Sequence, residues 1–310
     1  MPTESSDKSK ALFAPPSAVS ICYPVNMPDA ARTSENLVLI ARSLELSVDQ
    51  VVLPQDLDSQ SRASFQEDIA GTDLLICVGG DGTVLKVSQL ALESNIPILG
   101  IRLGRLGFLT DVIEQEIRNA IIEVVEGNSS LFERALISAT LSDQSETQYA
   151  LNDVVLGRDS IGGTISILAE INDTLIAEYR ADGVIVATAT GSTGYSLSAG
   201  GPILNPFERS MLVTPVAPHL TGSNSIVLSD HDSVVLTVAR GMDSGALVSF
   251  DGMFQTHLPN NSSVTVQISE KTVEFVVPES SPDFYSKVAE RLGWLRPDYM
   301  RHEQNQDKLK

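Results

Sequence analysis

Cysteine, histidine and positive charge are all scarce in this chain of 310 residues. The two cysteines, Cys22 and Cys77, each lie inside an apolar run, where a thiol behaves as a small hydrophobic group. The four histidines are scattered, without the Cys/His spacing of a zinc site. We therefore expect no disulfide bond and no transition-metal site built from protein side chains.

The deficit of positive charge limits the choice of partners. Lysine and arginine number 21 against 40 aspartates and glutamates, which gives a net charge of -19. That charge repels a nucleic-acid backbone and an anionic membrane surface, so we expect neither partner. A small anionic ligand stays compatible with it, because clustered amides or arginines bind phosphate even in an acidic protein.

Long apolar runs are also missing. No stretch approaches the roughly 20 residues of a transmembrane helix, and residues 1–16 lack the apolar core of a signal peptide. The sequence therefore predicts a cytoplasmic protein.

The composition, 42% hydrophobic and 20% charged, is that of a globular protein, and the length suits two cores. We predict a flexible arm at residues 1–16, an α/β domain at 17–130 and a β-rich domain at 131–279. Residues 280–300 are predicted to pack back on the first domain, and 301–310 to form a flexible tail.

The first half alternates between strand-like and helix-like patterns, which is typical of a parallel sheet. Helical spacing is clearest at Ile117, Ala120, Ile121, Val124 and Val125, which recur at i, i+3, i+4, i+7 and i+8. Predicted strands lie at 18–23, 72–78 and 96–100, and the other predicted helices lie at 35–46 and 83–92.

The second half changes to short β-rich runs and is predicted to be all-β. Asn172-Asp173 suits a tight hairpin turn between two of these runs. A final helix is predicted at 283–294. The runs lie at 135–141, 150–156, 164–171, 175–179, 183–189, 233–239, 246–250, 263–269 and 272–277.

Gly79-Gly80-Asp81-Gly82-Thr83 is the most informative motif, because it follows an apolar strand and opens a helix. Glycines there let backbone amides approach phosphates, and the helix N-terminus adds partial positive charge. The alternative is a plain turn in which Asp81 caps the helix. A carboxylate beside phosphates needs either a divalent cation or a proton-abstracting role, and both indicate phosphoryl transfer.

A second polar segment spans residues 190–202, where eleven of the thirteen residues are Gly, Ser, Thr, Ala or Pro. The segment follows a run that begins at Tyr179-Arg180-Ala181-Asp182-Gly183. One interpretation is a solvated linker. The flanking strands and Tyr195 favour the other, a polar wall of a binding site.

Together these motifs resemble those of the NAD kinase family. The glycine loop alone is shared with diacylglycerol and sphingosine kinases and, in a related form, with phosphofructokinases. Three further segments are similar to family motifs: Gly104-Arg105-Leu106-Gly107-Phe108-Leu109-Thr110, Leu151-Asn152-Asp153 and residues 190–202. Asp251-Gly252 is similar to an Asp-Gly pair near the end of the family's β domain. The implied fold is a Rossmann-like, phosphofructokinase-like α/β domain followed by an all-β domain.

The chain departs from the family pattern at three positions. Arg102 replaces a usual Asn, Gly194 a usual Ala, and Met253 a frequent Gln. No contact is carried over to Arg102 or Met253.

The resemblance implies a role for each matching residue. Asp81 is the implied general base at the 2′-hydroxyl of the adenosine ribose, and Asn152 with Asp153 the implied adenosine contacts. Asp182 is placed near the nicotinamide end of NAD. The resemblance also implies that a neighbouring subunit supplies part of the site, so that Arg180 and Asp182 act across the subunit interface. The implied phosphate-binding residues are Gly79, Gly80, Gly82 and Thr83, and the remaining NAD-binding residues are Thr190, Thr193, Tyr195 and Ser198.

Plainer interpretations stay open for some of these residues. Asn152 and Asp153 also suit a turn, and Arg180 also suits a surface ion pair of little energetic value.

The resemblance also implies NAD and ATP as substrates, with Mg²⁺ or another divalent cation accompanying ATP, in a homodimer or homotetramer. Inorganic polyphosphate as donor and NADH as acceptor stay open. Two other functions are considered: a lipid kinase of the same superfamily, and a non-catalytic sensor that binds NAD or NADP.

Overall fold

The computed structural model describes residues 10–104, 107–144, 146–159, 164–219, 222, 224–239 and 246–294. Most of the predicted arm at 1–16 and all of the predicted tail at 301–310 lie outside these residues. No helix among the described residues is long and apolar enough to cross a membrane.

The first half of the chain alternates strands and helices. Pro28 pre-sets the first turn of the first long helix, and Asp58 caps the second by accepting a hydrogen bond from the Ser61 amide. The elements are β1 (Lys10–Leu12), β2 (Ala18–Pro24), α1 (Pro28–Ser43), β3 (Ser47–Leu53), α2 (Ser59–Asp68), β4 (Leu74–Gly79), α3 (Asp81–Leu90), β5 (Ile98–Arg102), β6 (Val112–Ile113), a 3₁₀ turn (Glu114–Glu116) and α4 (Ile117–Val125).

The second half is built mainly from strands. They are β7 (Ser129–Leu141), β8 (Thr147–Ala150), β9 (Asp153–Arg158), β10 (Ile165–Ile171), β11 (Thr174–Ala181), β12 (Gly183–Thr188), β13 (Ser210–Val216), β14 (Ile226–Ser229), β15 (Ser233–Val238), β16 (Ala246–Phe250), β17 (Phe254–Leu258) and β18 (Ser263–Pro278). A 3₁₀ turn (Thr190–Thr193) and the short helix α5 (Tyr195–Ser198) follow β12, and α6 (Phe284–Arg291) closes the described chain.

The four strands β3, β2, β4 and β5 form a parallel sheet in that order. Every residue of β4 is buried, because apolar clusters cover both faces of this sheet. Gly79 ends β4 and Arg102 ends β5 at the same edge. The functional loops therefore gather at the carboxyl edge of the parallel strands.

β18 joins the two halves of the molecule. It pairs with β5 in parallel at Phe275 and Ile98, and with β7 and β15 in antiparallel fashion. The predicted separate runs at 263–269 and 272–277 are thus one strand, because the irregularity between Ile268 and Thr272 shifts the register without ending the pairing with β7.

Strands β8, β10 and β11 belong to the same sheet as β18, and the other six strands of the second half form an antiparallel sheet in the order β14-β13-β12-β9-β16-β17. An apolar core lies between this sheet and the β10, β15 and β18 part of the larger one. Asn172 and Asp173 both have positive φ and form the predicted two-residue turn between β10 and β11.

The predicted fold class, an α/β part with a parallel sheet followed by a β part, is confirmed. The domain boundary near residue 130 stays a prediction, since β18 pairs with strands of both parts.

Candidate active site

The glycine loop connects β4 to α3, with Gly80 at the N-cap position. A Cβ on Gly79 would lie 2.2 Å from Thr83 Oγ1, so packing requires a glycine there. A Cβ on Gly80 or Gly82 would meet nothing within 4 Å, and neither residue has a positive φ. Neither packing nor a left-handed backbone conformation therefore requires glycine at these two positions.

The Asp81 carboxylate is fixed by the backbone that follows β5. The amide of Phe108 donates to one oxygen at 2.9 Å, and the amide of Leu109 to the other at 3.1 Å. A Cβ on Gly107 would lie 2.0 Å from Asp81 Oδ1, so only glycine admits this contact. Gly107, Phe108 and Leu109 belong to the Gly104–Thr110 motif, of which Arg105 and Leu106 lie outside the described residues.

Helix α6 places one cation against this carboxylate and a second cation one helical turn away. Arg291 Nη1 lies 3.6 Å from Asp81 Oδ2, and its guanidinium stacks 4.4 Å above the Phe108 ring. Lys287, one turn earlier, forms a buried ion pair with Asp111. Burial lowers the pKa of Lys287 to about 8, Asp81 opposes this shift and Arg102 adds to it.

The sequence reasoning placed a helix here but assigned no role to its cations. Their spacing of four residues on one predicted helix face was the available signal.

A cavity of about 690 Å³ lies beside the six-stranded sheet. It brings together four of the predicted NAD-binding residues, Asn152, Asp153, Asp182 and Tyr195. Its volume is in the range of small-molecule and cofactor sites.

Asp251 holds one wall of this cavity in place. Its buried carboxylate accepts hydrogen bonds from the amides of Leu151 at 2.9 Å, Asn152 at 2.7 Å and Asp153 at 3.1 Å. Both Asp251 and Gly252 have positive φ, which makes the turn between β16 and β17 that aims the carboxylate at these amides. Asp251 therefore fixes the backbone that carries the predicted adenosine contacts.

Asp153 and Asp251 form a buried acidic pair. Burial, followed by the charge of Asp251, raises the pKa of Asp153 from 3.8 to about 7. Burial also raises the pKa of Asp251, although its hydrogen bonds from the three amides and Gln89 oppose the shift. Within the described residues no hydrogen bond engages the Asp153 side chain, which lines the cavity.

At another part of the wall, Asp182 pairs with Arg158, a residue that the sequence reasoning did not select. Arg158 Nε lies 2.9 Å from Asp182 Oδ1, and Nη2 donates to Oδ2 at 3.2 Å. This two-pronged geometry orients both side chains at the cavity. Nothing in the local sequence distinguished Arg158 from an ordinary strand-end arginine.

The polar segment at 190–202 divides between the cavity and other environments. Tyr195 lines the cavity with about half of its surface exposed, and Thr190 and Thr193 are buried in the adjoining 3₁₀ turn. The Thr190 hydroxyl is buried, and no described residue forms a hydrogen bond with it. Ser198 and Arg180 are exposed and do not line this cavity.

Helix α3 links the glycine loop to the cavity. Gln89 donates from its side chain to Asp251 Oδ2 at 3.2 Å and to the Tyr149 carbonyl at 2.6 Å. Asp81 lies eight residues earlier on the same helix, a rise of about 12 Å. One rigid element therefore carries the glycine loop at its start and contacts the cavity wall near its end.

Family models match two stretches of the chain. The ATP-NAD kinase N-terminal domain matches residues 22–129, and the ATP-NAD kinase C-terminal domain matches residues 151–277.

Curated relatives agree with these models. The NAD kinase of Chloroflexus aggregans is 38% identical over 227 residues, which cover 72% of this chain and 82% of that protein. The NAD kinase of Ruminiclostridium cellulolyticum is 33% identical over 267 residues, covering 81% of this chain and 92% of that protein.

Solved structures share the fold. Yeast NADH kinase complexed with NADH matches with a TM-score of 0.78 and 23% identity, over 92% of this chain and 90% of that one. An NAD kinase from Archaeoglobus fulgidus in complex with ATP matches with a TM-score of 0.71 and 23% identity, over 90% of this chain and 100% of that one. Sequence and fold agree: the chain belongs to the NAD kinase family of phosphotransferases.

Proposed function

We propose that this enzyme transfers a phosphoryl group from ATP to the 2′-hydroxyl of the adenosine ribose of NAD, which forms NADP. One observation carries the proposal: two backbone amides hold the Asp81 carboxylate at the start of a helix, on a glycine loop with open space at Gly80 and Gly82. A base is thereby fixed next to a surface suited to phosphate. Polyphosphate is the alternative donor.

Donor phosphates bind at the start of α3. Its unpaired amides and partial positive charge attract the phosphates, and Arg291 adds a full positive charge beside Asp81. Mg²⁺ arrives with ATP as part of the substrate, and when bound it offsets the charge of the phosphates near Asp81.

Asp81 receives the proton of the attacking hydroxyl. Each of its oxygens accepts one amide hydrogen bond, which leaves lone pairs for the substrate. The amides also fix the carboxylate's orientation, so most of the rate comes from positioning and electrostatics.

NAD occupies the cavity beside the six-stranded sheet. The Asp153 carboxylate is an unengaged acceptor for adenosine hydroxyl or amino groups, and Asn152 lies beside it. Tyr195 offers a half-exposed aromatic face, and the Arg158–Asp182 pair lies toward the nicotinamide.

The exposed residues Arg180 and Ser198 fit the site best if a second subunit covers them. We therefore propose a homodimer or homotetramer in which they contact NAD or the partner at the interface. Their exposure in a single chain supports this arrangement.

The test is an assay of NADP formation with wild type and Asp81→Asn, together with calorimetric NAD binding. We expect the variant to lose about 10²-fold or more in turnover, because a positioned base contributes about 10² to 10⁴-fold, and to bind NAD normally. Asp58→Asn is the matched control, since asparagine also caps the N-terminus of α2 well. Near wild-type turnover of Asp81→Asn would remove Asp81 from the mechanism.

The same assay separates the other functions considered. A sensor binds NAD and forms no NADP with either donor, and a lipid kinase phosphorylates a lipid offered in parallel. Membership of the NAD kinase family favours neither. Running ATP against polyphosphate, and NAD against NADH, identifies the donor and the acceptor.

A further inference from the structure

A second cavity, of about 380 Å³, lies between the start of β7, the end of β18 and the start of α6. We propose that it binds a small organic anion, a carboxylate or a phosphate ester that carries a compact apolar group. None of the residues that line the proposed NAD cavity lines this one.

The buried side chain of Arg134 is the main argument for an anion. It lines the cavity and is only 6% exposed. Its Nε has no hydrogen-bond partner, and within the described residues no ion pair or hydrogen bond engages the guanidinium. Burial lowers the pKa of Arg134 only to about 10, so the group keeps its charge at neutral pH. Cation–π contacts with the rings of Phe207 and Phe275 offset only part of the cost of this buried charge, and an anion in the adjacent space relieves the rest.

The carboxylates around the cavity are engaged elsewhere. Asp111 pairs with Lys287, and Asp283 accepts hydrogen bonds from the amides of Tyr285 and Ser286 at the start of α6. Glu279 is exposed to solvent. No carboxylate among the described residues therefore neutralises Arg134.

The rest of the lining suits an apolar, planar body. The rings of Phe132 and Phe207 stack at 4.5 Å, and the Arg134 guanidinium lies 4.8 Å from the Phe207 ring centre. The buried Ser129 hydroxyl also lines the cavity and finds no hydrogen-bond partner in the described part of the chain, so it supplies a further donor. An aromatic ring bearing an oxyanion satisfies both kinds of lining.

The cavity touches the elements that hold Asp81. Phe108, whose amide binds the Asp81 carboxylate, lines it together with Phe284, and these two rings lie 6.3 Å apart. Lys287 lines it as well, one helical turn before Arg291. An anion bound here would be separated from the proposed catalytic base by a single residue.

The test measures binding of three probes, benzoate, phenylphosphate and the neutral benzamide, to wild type, Arg134→Met and Arg62→Met by ligand-observed NMR and calorimetry. Saturating NAD is present throughout. Arg62 is the matched control, because it lies outside the cavity and donates to the carbonyls of Leu57 and Gln89.

We expect benzoate or phenylphosphate to bind wild type and Arg62→Met, and benzamide to bind neither measurably. Arg134→Met should lose about 10-fold to 100-fold in affinity for the anion, since hydrogen bonds to a charged group are lost. Tighter binding of benzoate would identify the ligand as a carboxylate, and tighter binding of phenylphosphate would identify it as a phosphate ester.

Three results would overturn the proposal, and two of them concern binding: no binding of either anion to wild type at millimolar concentration, or equal binding to wild type and Arg134→Met. Arg134→Met should also melt no lower than wild type in anion-free buffer, because methionine fills the space without a buried charge, whereas Arg62→Met should melt lower. If Arg134→Met instead melts well below wild type, the guanidinium is satisfied within the chain and the proposal fails. Ser129→Ala, a smaller change, provides a second variant with expected weaker anion binding.

Discussion

Replacing Asp153 with asparagine is expected to stabilise the fold at neutral and alkaline pH. In the folded chain burial and Asp251 raise the pKa of Asp153 from 3.8 to about 7. The folded state thus holds a proton that the unfolded state releases, so the stability of the wild type falls as pH rises from about 4 to about 7. Asparagine carries no charge at any of these values, and the variant lacks this loss.

The size of the effect follows from the shift in pKa. A difference of about three units, at 1.36 kcal/mol per unit, gives an upper limit of about 4 kcal/mol for the stabilisation above pH 7. At pH 5, where the folded state still holds the proton and most unfolded chains have released it, the stabilisation of the variant over wild type is about 1.6 kcal/mol. The advantage of the variant should therefore grow by about 3 kcal/mol between pH 5 and pH 8.

Urea unfolding of wild type and Asp153→Asn at pH 5 and pH 8, followed by circular dichroism, measures this growth. Asp73→Asn is a control whose effect should not change between these two pH values. Hydrogen bonds from the Ser17 side chain and amide and from the Ala18 amide lower the pKa of Asp73 below 3.8, so the carboxylate is ionised in the folded and the unfolded state at both pH values, and its loss should weaken the fold by the same amount at each.

A constant difference between wild type and Asp153→Asn at the two pH values would refute the reasoning. It would mean that the carboxylate is solvated or paired well enough to ionise normally. If the reasoning holds, Asp153→Asn should also bind NAD more weakly, because the cavity loses its charged acceptor. The single substitution Asp153→Asn would then raise the stability of the fold and weaken NAD binding.

Three further predictions concern the glycine loop, the segment that follows β5, and α6. Gly80→Ala should melt within about 2 °C of wild type, because its Cβ enters open space. Its rate of NADP formation should nevertheless fall at least about tenfold, because the methyl group occupies the surface proposed to bind phosphate. An unimpaired rate would contradict the assignment of that surface. Gly107→Ala should lower both the melting temperature and the rate, since its Cβ would lie 2.0 Å from Asp81 Oδ1. Arg291→Met should reduce turnover by about tenfold to a hundredfold at unchanged NAD affinity, and Arg291→Lys should recover part of the loss. Initial rates at varied ATP concentration measure this effect. Unchanged kinetics would show that the Arg291 cation takes no part in catalysis.

Strong periodicity and the glycine turn made much of the fold predictable. The buried run of β4 and the amphipathic spacing of α4 stand out in the sequence, and the Asn172-Asp173 turn follows from backbone preference. In the first half, β3, α2 and the short strands β1 and β6 were not predicted. β3 lies at the sheet edge with a largely exposed face, and α2 buries only Phe65, so tertiary contacts and a cap, more than pattern, define them.

The candidate site was only partly predictable, because motifs identify residues but not their neighbours in space. Asn152 and Asp153 were selected from a motif, whereas Arg158 and Arg291 act through partners that lie far away in sequence. Ser198 lies in a selected motif but outside the cavity, because α5 turns it away. Roles assigned by resemblance to these positions stay predictions.

The 16-residue strand β18 has a consequence for motion. It pairs with β7 from Val264 to Pro278 and also borders the parallel strands, so the two halves share one continuous ribbon. If the two halves move closer around bound nucleotides, β18 must twist, because along this strand no flexible loop separates the two halves. Such torsion spreads over many residues, and substitutions that stiffen or relax β18 should alter catalysis from a distance.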